Sequence, residues 1–115
     1  MRRFDHIVAA ISVRPKVLID RVSKHDLRLS WNYDARGISE EGMRDFVEMC
    51  REQTQKESVE LGQELEITFP RVMEPKVVRS GDTEKVIIGV SYSMLPGKEL
   101  VWDDVIDGLK EGGWL

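Results

Sequence analysis

The sequence predicts an α+β fold. It reads as one small domain over residues 1–115, with a three- to four-stranded, mainly antiparallel sheet packed on a long central amphipathic helix and with N- and C-terminal helices. Three observations predict this. Apolar residues recur at helical spacing between Ile38 and Leu65. Leu27, Leu29, Trp31 and Tyr33 alternate with Arg28, Ser30 and Asn32, and a second strand-like run follows a turn at Ser80-Gly81-Asp82. A chain of 115 residues is long enough for one core and too short for two.

The elements follow in order. Phe4, Ile7, Val8 and Ile11 are spaced as one face of an opening helix, and Val13-Arg14-Pro15 ends it because proline excludes its predecessor from the α region. The run Val17 to Val22 is read as a short helix with Pro15 at its first turn, although the same residues also fit a buried strand. The alternating run Leu27 to Tyr33 is a strand, and Asp34-Ala35-Arg36-Gly37 turns the chain into the central helix.

That helix starts on clear signals. Ser39 is the N-cap, Glu40 and Glu41 suit the positive end of the dipole, and Ile38 and Met43 have the spacing of a hydrophobic staple. Met43, Phe46, Val47, Cys50, Leu61 and Leu65 share one side of the wheel, with Thr54 between them. Glu41, Asp45, Glu48 and Glu52, spaced four, three and four, stack on the opposite side. Glu57 and Ser58 interrupt the apolar stripe, and Val59 falls on the charged side. Either the helix breaks near Glu57 or a second surface packs there. Gly62 is the expected stop, and Leu65, Ile67 and Phe69 then alternate as a strand.

Pro70 and Pro75 confine the next segment to a sheet edge or a loop. Val77 and Val78 begin one strand and Val86 to Ser93 forms its hairpin partner, with Gly89 marking a bulge or a close backbone approach. Trp102, Val105, Ile106 and Leu109 recur as a closing helix that ends at Gly112-Gly113, where Trp114 is placed to fold back on the last turn.

Charge is unevenly spread along this plan. The net charge is −4. Ser39 to Leu65 holds eight acids and three bases, net −5, whereas Met1 to Arg28 holds seven bases and three acids, net +4. A polarised chain of this kind attracts partners of opposite sign at each end. The basic opening raises nucleic-acid binding, but a sequence pI near 5.2 and the lack of interleaved aromatics argue against it.

Chemistry is hard to place. His6 and His25 stand nineteen residues apart without a cysteine pair, so no zinc pattern forms, and the acidic row lies on one element where a hard-cation site draws on several. There is no glycine-rich phosphate loop and no nucleophile elbow. The single cysteine, Cys50, falls on the apolar face as a structural thiol and fits a reducing compartment. No apolar run approaches the roughly 20 residues of a membrane span, and no secretory leader is expected.

These features point to a non-enzymatic, cytoplasmic protein-binding module of inhibitor, immunity or adaptor type, without a cofactor, in a cell or a virus-infected host cell. Glu41, Asp45, Glu48 and Glu52 would meet a basic partner, mimicking a nucleic-acid backbone, with Trp114 and Leu115 as apolar contacts. One alternative is a structural subunit of a homo-oligomer or viral particle, with the basic opening of one copy on the acidic face of the next and the strand near Val86 pairing between copies; another is a small enzyme, which a pocket lined by convergent polar groups would support.

Overall fold

A computed structural model describes residues 15–22, 26–67, 70–93 and 102–114. The opening helix expected around Phe4 to Ile11 lies outside these residues, as do Phe69 and Leu115. The described elements run β1 (Lys16–Val22), β2 (Asp26–Asp34), α1 (Glu40–Glu64), β3 (Arg71–Val72), β4 (Lys76–Ser80), β5 (Thr83–Ser93) and α2 (Trp102–Glu111). The sheet is antiparallel, in the order β1-β2-β5, with β3 and β4 sharing the far edge of β5. It is the expected α+β architecture.

The centre of the sheet follows from the period-two pattern. Every second residue of β2 and β5 is buried, and the register sets these residues directly opposite one another: Leu27 with Tyr92, Leu29 with Val90, Trp31 with Ile88, and Tyr33 with Val86. Each such pair packs aromatic or branched side chains at the distance where cross-strand contacts stabilise a sheet. A one-residue slip would turn the four buried residues of the slipped strand to the other face, so this pairing fixes the register. Gly81, at φ 58, opens the two-residue turn between β4 and β5 as a glycine at the first central position of a hairpin loop does.

The proline-bounded segment sits at the sheet edge as its residues require. Val72 aligns with Val90 and Lys76 with Ile87, so the chain from β3 to β4 carries one residue more than β5 opposite it. That surplus is a bulge around Glu74 and Pro75, where a missing N–H is harmless. Gly89 marks a close approach: a Cβ there would meet the Met73 sulfur at 3.3 Å and the Arg28 guanidinium at 3.5 Å.

Helix α1 packs across the buried face against β5 and β3. Ser39 accepts the Gly42 N–H at 3.1 Å, and Ile38 and Met43 are both buried beside this cap. Phe46, Cys50, Thr54 and Leu61 are fully buried. Removing a side chain the size of Phe46 from water contributes about 1.5–3 kcal/mol, so this stripe anchors the helix.

Three expectations are corrected and one alternative is decided. Val17 to Val22 is a strand and not a helix: Val17 aligns with Trp31 and supplies β1's one fully packed contact with the core, while the rest of β1 stays exposed at the sheet edge. Of the two alternatives at Glu57, the second holds: the helix continues to Glu64 and packs a second surface there, with Glu57 on Trp31. Gly62 does not end it; Gly62 is buried within the helix. The end comes later, where the Glu66 N–H bonds to the Gln63 carbonyl and the Ile67 N–H to the Gly62 carbonyl, with Glu66 at φ 54. This is a Schellman closure with glutamate at the position glycine favours, so Leu65 to Ile67 is a helix end and not a strand.

Helix α2 closes in the same way with the preferred residue. Gly113 has φ 75, its N–H bonds to the Lys110 carbonyl, and the Trp114 N–H reaches the Leu109 carbonyl. Trp114 folds back and is buried, so it is docked as a cap and is not the exposed contact also expected of it.

Candidate functional site

The acidic row is placed outward on a helix whose other side is fixed. Glu41, Glu48 and Glu52 are exposed and Asp45 is half-buried, while Phe46 and Cys50, on the opposite side, have no exposed surface. At about 1.5 Å rise per residue the row spans roughly 16 Å, with about 5.5 Å between successive carboxylates. Among the described residues, Glu41, Glu48 and Glu52 take part in no ion pair. The ion pairs of α1 run elsewhere, from Arg51 to Glu74 and from Glu40 to Arg79. Glu41, Glu48 and Glu52 therefore carry negative charge into solvent without an ion pair to Arg44 or Lys56, which the sequence places one turn away.

Past the row, the sheet side of α1 carries a layer of hydrogen-bonded polar groups. Trp31 donates its indole N–H to Glu57 Oε2 at 2.9 Å, and the Gln53 amide donates to Glu57 Oε1 at 2.6 Å. The Tyr33 and Thr54 hydroxyls share a hydrogen bond of 2.7 Å, and the Tyr92 hydroxyl donates to the Ser58 carbonyl at 2.6 Å. Glu57 and Ser58, which break the apolar pattern, are thus the α1 side of an interface with the sheet. Each aromatic residue buries its ring and satisfies its polar tip. Burial pushes the Tyr33 and Tyr92 phenols above their ordinary range and the Cys50 thiol up to about 12. A thiol held neutral and out of solvent is structural.

Trp114 lies far from the acidic row. Its indole N–H donates to Glu64 Oε2 at 3.0 Å, at the last residue of α1 and roughly 18 Å along the helix from Glu52. The structure does not bring it together with Glu41, Asp45, Glu48 and Glu52, and its ring is spent on closing α2 against α1. Val86 lies in β5, flanked by β2 and β4, so it has no free edge with which to pair between copies. The expectation of inter-copy pairing there is corrected.

The sheet face away from α1 was not read as a site from the sequence. A broad depression crosses it, lined among others by Asp20, Arg28, Arg71, Glu74 and Lys76. Acids and bases alternate within it: Arg28 lies 3.5 Å from Asp20, and its guanidinium also meets the Met73 sulfur. Glu74, at its rim, pairs instead with Arg51 on α1. Beside a separate pocket, Arg36 grips Asp34 through both carboxylate oxygens and holds that carboxyl below its ordinary range. Among the described residues no group of three or more His, Cys, Asp or Glu is placed to hold a metal ion, and no helix is long and apolar enough to cross a membrane. Compared with known families, curated proteins and solved structures, the chain matches none.

Proposed function

We propose that this chain is a non-enzymatic protein-binding module, of inhibitor, immunity or adaptor type, that offers the outer face of α1 to a basic partner protein. The observation that carries this reading is the uncompensated, exposed row Glu41, Glu48 and Glu52, with Asp45 beside it, on a helix locked from behind. Rigid carriage matters because a preorganised charge pattern spends little entropy on ordering when it meets its partner. Complementary potentials then raise the association rate and reject partners of like sign. The carboxylates are about 5.5 Å apart along the axis, against about 3.4 Å per phosphate in one strand of duplex DNA. The row is thus a sparse imitation of a nucleic-acid backbone, suited to a basic patch that normally meets phosphates. The neutral thiol of Cys50 suits a reducing compartment such as the cytoplasm.

The test is a paired capture from a native lysate. The bait is either the natural chain or a variant carrying E41K, D45K, E48K and E52K, washed across a salt series. The reading expects basic proteins that the natural chain retains at low salt and the variant does not. Identical capture by both baits removes it.

A further inference from the structure

The edge of β1 that faces away from β2 is unpaired among the described residues. An edge strand offers a row of free N–H and C=O groups to any chain that can lie beside it. Leu18, Ile19 and Val22 are 42%, 38% and 41% exposed on this strand, so its surface is apolar as well as open. Natural edges are commonly blunted by charge. Here the two charges flanking Leu18 have opposite signs. Lys16 aligns with Asn32 and Leu18 with Ser30, and Asp20 reaches Arg28, which places all three on the sheet face away from α1.

We propose that a second copy of this chain adds to β1, antiparallel, about a twofold axis at Leu18. In that register Lys16 stands opposite Asp20 of the second copy, and Asp20 opposite its Lys16. Leu18 meets its own counterpart between these two ion pairs, and on the helix side Val17 stands opposite Ile19. A symmetric interface must be self-complementary, and this register is so in both charge and apolarity. Neighbouring registers fail the same criterion. An axis between Leu18 and Ile19 sets Lys16 against Arg21, and an axis at Ile19 sets Leu18 against Asp20. The irregularity between Ile19 and Arg21 ends the paired segment at Asp20. On the helix side, Ile19 of the second copy adjoins an apolar groove of about 410 Å³ between β1 and Trp114, lined by Pro15, Val17, Ile19 and Gly113. The product is one sheet continuous across two chains, with an α1 row on each. It is a small interface, so the dimer forms and dissociates with concentration.

Sedimentation velocity of the pure full chain, from about 10 µM to about 1 mM, tests this. The expected result is a shift from 13.2 kDa towards twice that mass as concentration rises. L18K, at an exposed position, should keep the helical and strand circular dichroism and raise the dissociation constant at least tenfold. K16D and D20K should each weaken the dimer by setting like charges opposite one another, and the K16D/D20K double variant should restore it. L18C should form a disulfide-linked dimer on mild oxidation, because facing residues of an antiparallel pair stand within disulfide range. A monomer at every concentration overturns the proposal. So does a dimer that L18K leaves unchanged, or one that the double variant does not restore.

Discussion

Trp31 and Glu57 meet at 2.9 Å between β2 and α1, an indole N–H on a carboxylate oxygen, both residues enclosed by the core. The carboxyl group also takes the Gln53 amide, so one glutamate satisfies two donors. E57A should therefore destabilise the protein by about 1–3 kcal/mol, since it leaves the Trp31 N–H buried without an acceptor. E57Q keeps an oxygen for Trp31 and should cost less. Urea unfolding of both variants, and of W31F with and without E57A, gives the coupling energy directly. A cycle that sums to zero would show that the contact contributes nothing.

The second polar contact of this layer predicts a different asymmetry. T54V leaves the Tyr33 hydroxyl buried without its partner and should cost about 1–2 kcal/mol. Adding Y33F removes the orphan as well, so the double variant should be closer to the natural protein than T54V alone. Chemical denaturation of the three proteins checks the order.

Three buried acids make the fold sensitive to alkali. Cys50 is raised from 9.0 to about 12, and Tyr33 and Tyr92 are raised above 10.0, all three chiefly by burial. The unfolded chain releases these protons first, so it binds fewer protons than the native state above pH 9. Stability is then complete below pH 9 and falls as pH rises through the window from 9 to about 12 for Cys50 and from 10 upward for the tyrosines. Thermal unfolding between pH 7 and pH 11 should show this decline. A thiol reagent at pH 8 should label Cys50 only after denaturant is added.

Glu66 sits at φ 54, where a side chain on Cβ is disfavoured. E66G should stabilise the protein by about 1 kcal/mol, because glycine adopts the left-handed region without strain and the Schellman bonds remain. A lower denaturation midpoint would show that the Glu66 side chain contributes more than its backbone loses.

Much of this was legible in the residues, and what was not has physical causes. The pairing of β2 with β5 was written in strict alternation, and the start of α1 in Ser39, Ile38 and Met43, because those signals are local. Glu57 was visible only as a fault in a stripe. Its partner Trp31 is 26 residues away, and periodicity carries no information about which polar group a distant aromatic needs. The end of α1 was misplaced because Gly62 resembles a stop, whereas the left-handed residue is a glutamate, held there by the bonds that close the helix. β1 was misread because a run such as Val17-Leu18-Ile19 suits either helix or strand, and only its alignment with β2 decides. The acidic row itself was read correctly as an outward face, since spacing alone separates Glu41 and Glu48 from Phe46 and Cys50. That Glu41, Glu48 and Glu52 take part in no ion pair among the described residues needed coordinates.

The most direct measurement is calorimetric titration of a captured basic partner against the natural chain and against the E41K, D45K, E48K and E52K variant, at low and at high salt. The four side chains are exposed or half-buried, so circular dichroism should show the variant folded. Binding by the variant at low salt should be at least about tenfold weaker, with the gap closing as salt screens the surface. Equal affinity of the two proteins at low salt would contradict the proposed function.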